Sequence, residues 1–228
     1  MSNLIKRLLT GIILFPLVLI LIWKGGFYFE VLFSVCIILA VLEWLKLCIR
    51  SPLPILKSNI WFIVGLLYIL IAGWGFYQLR FLSQTLGFPE PALQLLLVAI
   101  IAVTDTSAYF IGKLFKGPKL APAVSPNKTW SGALGALVVS VIFSILTLSL
   151  YGFSFKEDKN FSKIYIGTCL CISLVGQIGD LLESFVKRYF RVKDSGKLIP
   201  GHGGILDRTD SILAVSFLLG CVFLILSL

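Results

Sequence analysis

The residues best suited to chemistry lie in one polar block, 184–210, which reads SFVKRYFRVKDSGKLIPGHGGILDRTD and separates two apolar runs. The block combines basic side chains, a glycine cluster, spaced carboxylates and the only histidine, His202. At a bilayer surface, basic side chains and glycine N–H groups suit phosphate binding, and carboxylate oxygens suit a divalent cation. The block therefore predicts chemistry on phosphates with the help of a metal ion.

Carboxylates inside apolar runs are the next candidates, because a charged side chain at the centre of a bilayer costs at least ~2.5–3.5 kcal/mol. These residues are Glu30, Glu43, Asp105, Asp180 and Glu183. On a helix, Asp180, Ser184, Lys187 and Arg191 follow a spacing of i, i+4, i+7 and i+11, which predicts one continuous face. That face could hold a cation at one end and phosphate oxygens above it. The alternative for Lys187–Arg191 is an interfacial helix end whose basic side chains extend to the lipid headgroups.

A short non-helical loop is predicted at 200–204, because one proline and three glycines disfavour a helical turn. If a helix starts near Leu206, its N-terminus favours an anion close to Asp207. Asp180 and Asp207, at the membrane edge on neighbouring helices, are then a plausible divalent site. We assign His202 to positioning a phosphate or ordering the loop rather than to base catalysis, because a phosphomonoester is already largely a dianion at neutral pH.

A second polar loop spans 113–131 and contains the segment Ser125–Thr129. Its hydroxyl, amide and ammonium groups suit contacts with a phosphate or a sugar. The segment lacks the GxxxxGK[ST] spacing of a P-loop, and it could equally be an N-terminal cap for a helix that begins near Ser131. For Asp105, upstream of this loop, a structural hydrogen bond and a catalytic role are both open.

The elements that position these residues are membrane helices. The 228 residues are 58% hydrophobic and the mean hydropathy is +0.98, values typical of a polytopic membrane protein. Seven runs are long enough to span about 30 Å of hydrocarbon, which predicts an all-α helical bundle with two cytoplasmic polar loops. We expect one integral membrane domain, 1–228, with N-terminal helices in 1–92 and a catalytic half in 93–228. The runs are 8–23, 27–47, 59–79, 93–112, 132–153, 164–183 and 211–228.

The distribution of charge sets the orientation. The net charge of +9 is concentrated in the two large loops, which by the positive-inside rule places both in the cytoplasm together with the N-terminus. Attraction to anionic lipid accounts for part of this excess. Nucleic-acid binding is not expected, because no soluble module could present an element to a groove.

The motifs resemble those of a known family. GDLLESFVKR at 179–188, KDSG at 193–196 and PGHGGILDRTD at 200–210 are similar to the signature of phosphatidate cytidylyltransferases, or CDP-diacylglycerol synthases. The block 105–130, with SPNKTW at 125–130, resembles the second typical segment of that family. Together these motifs cover roughly the C-terminal half of the chain.

The resemblance implies an enzyme that joins CTP to phosphatidic acid, releasing pyrophosphate and forming CDP-diacylglycerol. It implies Mg²⁺, a second, monovalent cation such as K⁺, and a homodimer in a bacterial inner membrane with the site facing the cytoplasm. Asp180 and Asp207 would bind the metal, and the catalytic set adds Lys128, Lys187 and Arg208. The predicted substrate-binding residues are Ser125, Asn127, Thr129, Ser184, Arg188, Lys193, Asp194, His202, Gly203, Gly204 and Asp210.

Two other classes of protein share some of these features. A different CTP-dependent membrane enzyme, either a lipid kinase or another cytidylyltransferase, would have a similar metal and basic constellation. A transporter of a phosphorylated solute would need polar residues along a path through the membrane. In this chain the polar residues are concentrated towards the predicted cytoplasmic side, which disfavours the transporter.

Overall fold

The computed structural model describes residues 3–150, 159–199, 201 and 203–226, with side chains described from Gly11 onward except at Lys159. Within these residues the chain forms seven helices, which confirms the predicted all-α architecture. All seven begin before the corresponding predicted apolar run, and five of them, α1, α2, α3, α4 and α6, also end after it. The helices are α1 Asn3–Lys24, α2 Gly26–Arg50, α3 Ile55–Thr85, α4 Ala92–Phe115, α5 Trp130–Leu150, α6 Lys159–Tyr189 and α7 Leu206–Leu226.

Six of the seven helices, α2 to α7, are long and apolar enough to cross a membrane, judged over the described part of the chain. In α1 the apolar stretch with described side chains is shorter, Gly11–Lys24. The chain is therefore an integral membrane protein, as its composition predicts.

A small hairpin was not predicted. Strands β1 (Lys119–Ala121) and β2 (Ser125–Thr129) pair antiparallel, with Lys119 opposite Thr129 and Ala121 opposite Ser125. The segment expected to be a loop therefore has a fixed backbone. Because β2 runs directly into α5, the position of Lys128 is tied to the start of that helix.

The chain divides into two compact units. Unit 1 comprises Met1–Leu95 and Glu183–Leu228, and unit 2 comprises Leu96–Leu182. The predicted division into 1–92 and 93–228 stays a prediction.

In unit 1, α3 packs closely along α7 through small residues. A Cβ atom on Gly75 would collide with the carbonyl oxygen of Ser216, and one on Gly220 would lie 2.5 Å from the carbonyl oxygen of Ile71. Such contacts let two membrane helices approach backbone to backbone, where van der Waals packing stabilises the pair. This packing fixes the axis of α7, whose N-terminus carries the second candidate aspartate.

An aromatic cluster in unit 1 holds the residue that follows α6. The Trp44 indole N–H donates to the carbonyls of Trp61 (3.1 Å) and Phe62 (3.2 Å), and its ring packs on Gly65. Phe190 is 2% exposed and its ring lies 5.7 Å, between centroids, from that of Trp44. The cluster therefore anchors the start of the 191–205 segment to α2 and α3.

In unit 2, α4 contacts α5 and α6. A Cβ atom on Gly132 would lie 2.5 Å from the carbonyl oxygen of Ala108, so α4 and α5 approach through glycine. The buried Thr104 hydroxyl donates to that of Ser173 at 2.9 Å and joins α4 to α6. These contacts position the C-terminal half of α6 up to Leu182, which includes Asp180.

Candidate active site

Asp207, in the first turn of α7, is fixed by three donors. Its Oδ2 accepts hydrogen bonds from the backbone N–H groups of Ser195 (2.9 Å) and Gly204 (2.8 Å). Its Oδ1 accepts a hydrogen bond from the Lys187 ammonium at 2.6 Å. The side chain is only 7% exposed. Charge-assisted hydrogen bonds of this kind are short and strong, so the carboxylate has one preferred orientation.

The Lys187 ammonium also lies 3.2 Å from Glu183 Oε1, one helical turn earlier on α6. Apart from this ion pair, the Glu183 carboxyl group has no hydrogen-bond partner among the described residues. Two carboxyl groups thus share one ammonium, so the cluster could accept either a further cation or a proton. The interpretation of Lys187 as a side chain that extends to lipid headgroups is wrong, because it is 12% exposed and paired.

The helical face predicted for Asp180, Ser184, Lys187 and Arg191 is wrong at its last residue. The Val192 N–H donates to the Lys187 carbonyl and the Arg191 N–H to the Arg188 carbonyl, both at 2.9 Å. With φ +57° at Arg191, this is the Schellman arrangement, in which a residue in the left-handed region ends the helix. Asp180, Ser184 and Lys187 remain on one helical face. Arg191 does not, because the helix ends at Tyr189.

Glycines 203 and 204 are required by close packing. Gly203 has φ +91°, and a Cβ atom there would lie 2.6 Å from Asp207 Oδ2. A Cβ atom on Gly204 would collide with the Ser195 hydroxyl and the Glu43 carboxylate. Both residues were predicted to approach a phosphate. They also allow the loop to close around the Asp207 carboxylate.

Glu43 is a site residue whose role sequence reasoning missed. This carboxylate from α2 is 6% exposed, and its Oε2 accepts hydrogen bonds from the Ser195 hydroxyl and the Leu206 N–H, both at 3.1 Å. It therefore caps the N-terminus of α7 from another helix. Ser195 contacts Glu43 with its side chain and Asp207 with its backbone N–H. The signal in the sequence was a carboxylate within an apolar run, but its partner lies more than 150 residues later.

In unit 2, Lys128 and Asp180 come together. The Lys128 ammonium lies 2.5 Å from Asp180 Oδ2, and both side chains are more than two-thirds buried. The adjacent Thr129 instead caps α5, since its hydroxyl accepts a hydrogen bond from the Gly132 N–H at 3.2 Å. The alternative prediction, a helix cap, is thus confirmed for Thr129. Lys128 instead forms an ion pair with Asp180, a predicted metal ligand.

The other predicted residues have varied surroundings. Arg188 is exposed at the end of α6 and donates to the Val192 carbonyl at 3.2 Å, and Asp210 accepts from the Ser211 N–H at 2.7 Å. Lys193, Asp194, Asn127 and Arg208 are exposed, Ser125 and Ser184 are half-buried, and Asp105 is exposed on α4. The prediction for His202 lies outside the described residues. Substrate contacts at all these positions stay predictions.

The chemistry of the two aspartates fits a hard divalent cation. Each carboxylate forms an ion pair with a lysine: Asp180 with Lys128, and Asp207 with Lys187. Among the described residues, no three His, Cys, Asp or Glu side chains converge on one point. Mg²⁺ commonly takes only one or two protein carboxylates and completes its shell with water and substrate phosphates. Asp180 belongs to unit 2 and Asp207 to unit 1, and their sharing of one ion stays a prediction.

Comparison with known proteins adds independent information. The model of the cytidylyltransferase family matches residues 55–226. A phosphatidate cytidylyltransferase from Brucella abortus (strain 9-941) is 37% identical over an alignment that covers 98% of this chain and 95% of the relative. One from Rickettsia felis is also 37% identical, with 93% and 88% covered. A Staphylococcus aureus (strain COL) enzyme of the same name is 46% identical over 125 residues, 55% of this chain and 46% of its own.

Proposed function

The chain belongs to the cytidylyltransferase family, and we propose that it transfers CMP from CTP to phosphatidic acid, forming CDP-diacylglycerol and pyrophosphate. The relatives that align over nearly the whole chain are named for phosphatidate as the acceptor. The observation that carries the proposal is the Asp207 cluster, in which a fixed carboxylate lies against an ammonium. A carboxylate for a cation beside an ammonium for a phosphate is the pairing that nucleotidyl transfer needs.

In the proposed reaction, an oxygen of the phosphatidate phosphate attacks the α-phosphorus of CTP. The bond from that phosphorus to the oxygen bridging the α- and β-phosphates breaks, and its electron pair leaves with pyrophosphate. No general base is needed, because the attacking phosphomonoester is already largely dianionic at neutral pH.

The side chains of the site position charge rather than form bonds. Lys128, Lys187 and Arg208 neutralise the charge that develops on the leaving pyrophosphate. The Ser195 and Gly204 N–H groups keep the Asp207 carboxylate in place, so it does not reorient during turnover.

We also propose that Asp180 and Asp207 hold a Mg²⁺ ion. When bound, the ion would act as a Lewis acid and stabilise the negative charge of the transition state. The proposal is supported by the donor chemistry of each carboxylate and by the two carboxyl groups that share Lys187. A second, monovalent cation and a homodimer stay predictions.

The site is proposed to face the cytoplasm at the inner membrane of a bacterium. The positive-inside rule and the supply of CTP in the cytoplasm support this orientation. Because phosphatidate stays in the bilayer, its phosphate would reach the site laterally from the inner leaflet. The position of Lys187 and Asp207 at the ends of two apolar helices agrees with such access.

The test is the variant Asp207→Asn, with Glu30→Gln as a matched control. Asparagine keeps the size of the side chain but loses one acceptor oxygen and the negative charge, so CDP-diacylglycerol formation should be abolished while the protein stays folded. Glu30 is exposed, and within the described part of the chain its hydrogen bond is the one it accepts from the Tyr77 hydroxyl, so its variant should remain active. Near-normal turnover by Asp207→Asn would contradict the assignment.

Labelled CTP separates this reaction from the rival class of enzyme. A cytidylyltransferase attaches labelled CMP to lipid and releases pyrophosphate, whereas a lipid kinase transfers the γ-phosphate and leaves CDP. Purified protein should release pyrophosphate only when CTP, phosphatidic acid and Mg²⁺ are all present. Formation of CDP by the purified protein would favour the kinase.

A further inference from the structure

An open groove of about 800 Å³ lies in unit 1, between the C-terminal half of α2 and the segment 192–198. Leu39 and Leu42 on α2 and Leu198 on the opposite side form apolar walls. Lys46 and Arg50 follow on the same face of α2 towards the helix end. The α2 wall of the groove therefore changes from apolar to cationic towards the C-terminal end of the helix.

Four cationic side chains line this groove, together with the carboxylates of Glu43 and Asp194. Lys46 and Arg50 come from α2, and Lys193 and Lys197 come from the opposite wall. All four are exposed, and none forms an ion pair with a residue in the described part of the chain. The four cations outnumber the two carboxylates, and an anion between the two facing elements would offset the excess positive charge.

We propose that this groove binds the acceptor lipid, phosphatidic acid, with its phosphate among the four cations and an acyl chain along the leucines. The inference rests on the proposed function. It goes beyond that function by assigning Lys46 and Arg50, which otherwise only orient the chain in the membrane, to recognition of the acceptor.

The chemistry of the groove favours phosphatidate over other anions. A phosphomonoester carries about −1.5 to −2 charge at neutral pH, more than the single charge of a phosphodiester lipid, and so suits four cations better. CTP is also anionic, but leucine walls suit an acyl chain rather than a nucleotide.

The groove adjoins the residues that hold the candidate catalytic aspartate. Glu43 and Ser195 line it, and the same Ser195 donates its backbone N–H to Asp207. A lipid phosphate at the cationic end would lie next to the segment that closes around Asp207. The groove is therefore placed to deliver the acceptor to the reaction.

The test is steady-state kinetics in mixed micelles with Lys46→Gln, Arg50→Gln and the double variant, at varied phosphatidate mole fraction and varied CTP. Each neutralised cation should raise the KM for phosphatidate about five-fold, and the double variant about 25-fold. The KM for CTP and kcat should stay within about two-fold of wild type, because neither residue contacts the reacting groups in this proposal. The matched control is Lys57→Gln, an exposed lysine in the first turn of α3 that does not line the groove.

Two outcomes would overturn the inference. One is an unchanged KM for phosphatidate in the double variant, and the other is a KM for CTP that rises equally. Native mass spectrometry provides a readout without turnover: wild type should retain phosphatidic acid in preference to phosphatidylglycerol, and the double variant should lose that preference. Equal retention of both lipids by wild type would indicate a general anionic surface and refute the assignment. If wild-type protein makes no CDP-diacylglycerol at all, the proposed function fails instead, which is a separate result.

Discussion

Glu43→Ala is expected to reduce both stability and activity, although Glu43 contacts no reacting group. The substitution removes the acceptor of the Leu206 N–H, and Leu206 is 6% exposed. It also removes the acceptor of the Ser195 hydroxyl. A buried donor left without a partner costs about 1–3 kcal/mol, and a hydroxyl that can rotate costs less. The free energy of unfolding should therefore fall by about 2–4 kcal/mol.

The effect on turnover follows from the shared residue, Ser195. Its hydroxyl is held by Glu43 while its backbone N–H holds Asp207. When the hydroxyl is released, the Asp207 carboxylate loses part of its support, and a shift of about 1 Å can cost roughly 10²-fold in rate. We expect kcat to fall by about that factor, with a smaller change in KM for CTP. Glu43→Gln keeps an acceptor oxygen and should recover most of the loss.

The assays are CDP-diacylglycerol formation and the thermal unfolding midpoint in detergent. Glu30→Ala is the control, because it removes the same side chain from the same helix at a position exposed to solvent or lipid. The reasoning is refuted if Glu43→Ala keeps wild-type kcat and midpoint. It is equally refuted if Glu30→Ala is just as damaging.

Three further predictions concern the cluster and its metal. Lys187→Met should abolish activity and lower the free energy of unfolding by about 3–5 kcal/mol, because it leaves Asp207 buried without its cation. Lys163→Met, on the exposed opposite end of α6, should be close to wild type in both assays. Gly204→Ala should lower turnover because its Cβ collides with the loop, whereas Gly167→Ala, with open space around it, should not. Chelation with EDTA should stop CDP-diacylglycerol formation and added Mg²⁺ should restore it; turnover that persists in EDTA would contradict the metal proposal.

The helices could be predicted from sequence because bilayer thickness sets their length. Each of the seven apolar runs corresponds to a helix, and α7 begins at Leu206 as expected. The predicted helix ends were less accurate where polar residues continue a helix beyond its apolar run. One example is α6, which continues to Tyr189. A hydropathy pattern ends with the apolar residues, whereas the backbone hydrogen bonds of the helix do not.

Three features could not be predicted for physical reasons. The β1–β2 hairpin has one strand of three residues and another that contains Pro126, so neither gives a clear alternating pattern. The left-handed turn at Arg191 lacks the glycine that usually marks it. The contact of Glu43 with the loop joins distant segments through tertiary packing, which no local pattern encodes.

The two lysine–aspartate pairs explain how one set of residues could serve both a cation and phosphates. Lys128 forms an ion pair with Asp180 and Lys187 with Asp207, so each predicted metal ligand is paired with a lysine predicted to contact phosphate. A lysine is a point charge on a flexible four-carbon stem, so it can move from a carboxylate to a nearby phosphate oxygen. The Asp207 carboxylate would keep its orientation during that exchange, because its other oxygen is held by two backbone N–H groups. Mobile ammonium groups beside a rigid carboxylate would thus suit a site that must bind the highly charged triphosphate and then release pyrophosphate.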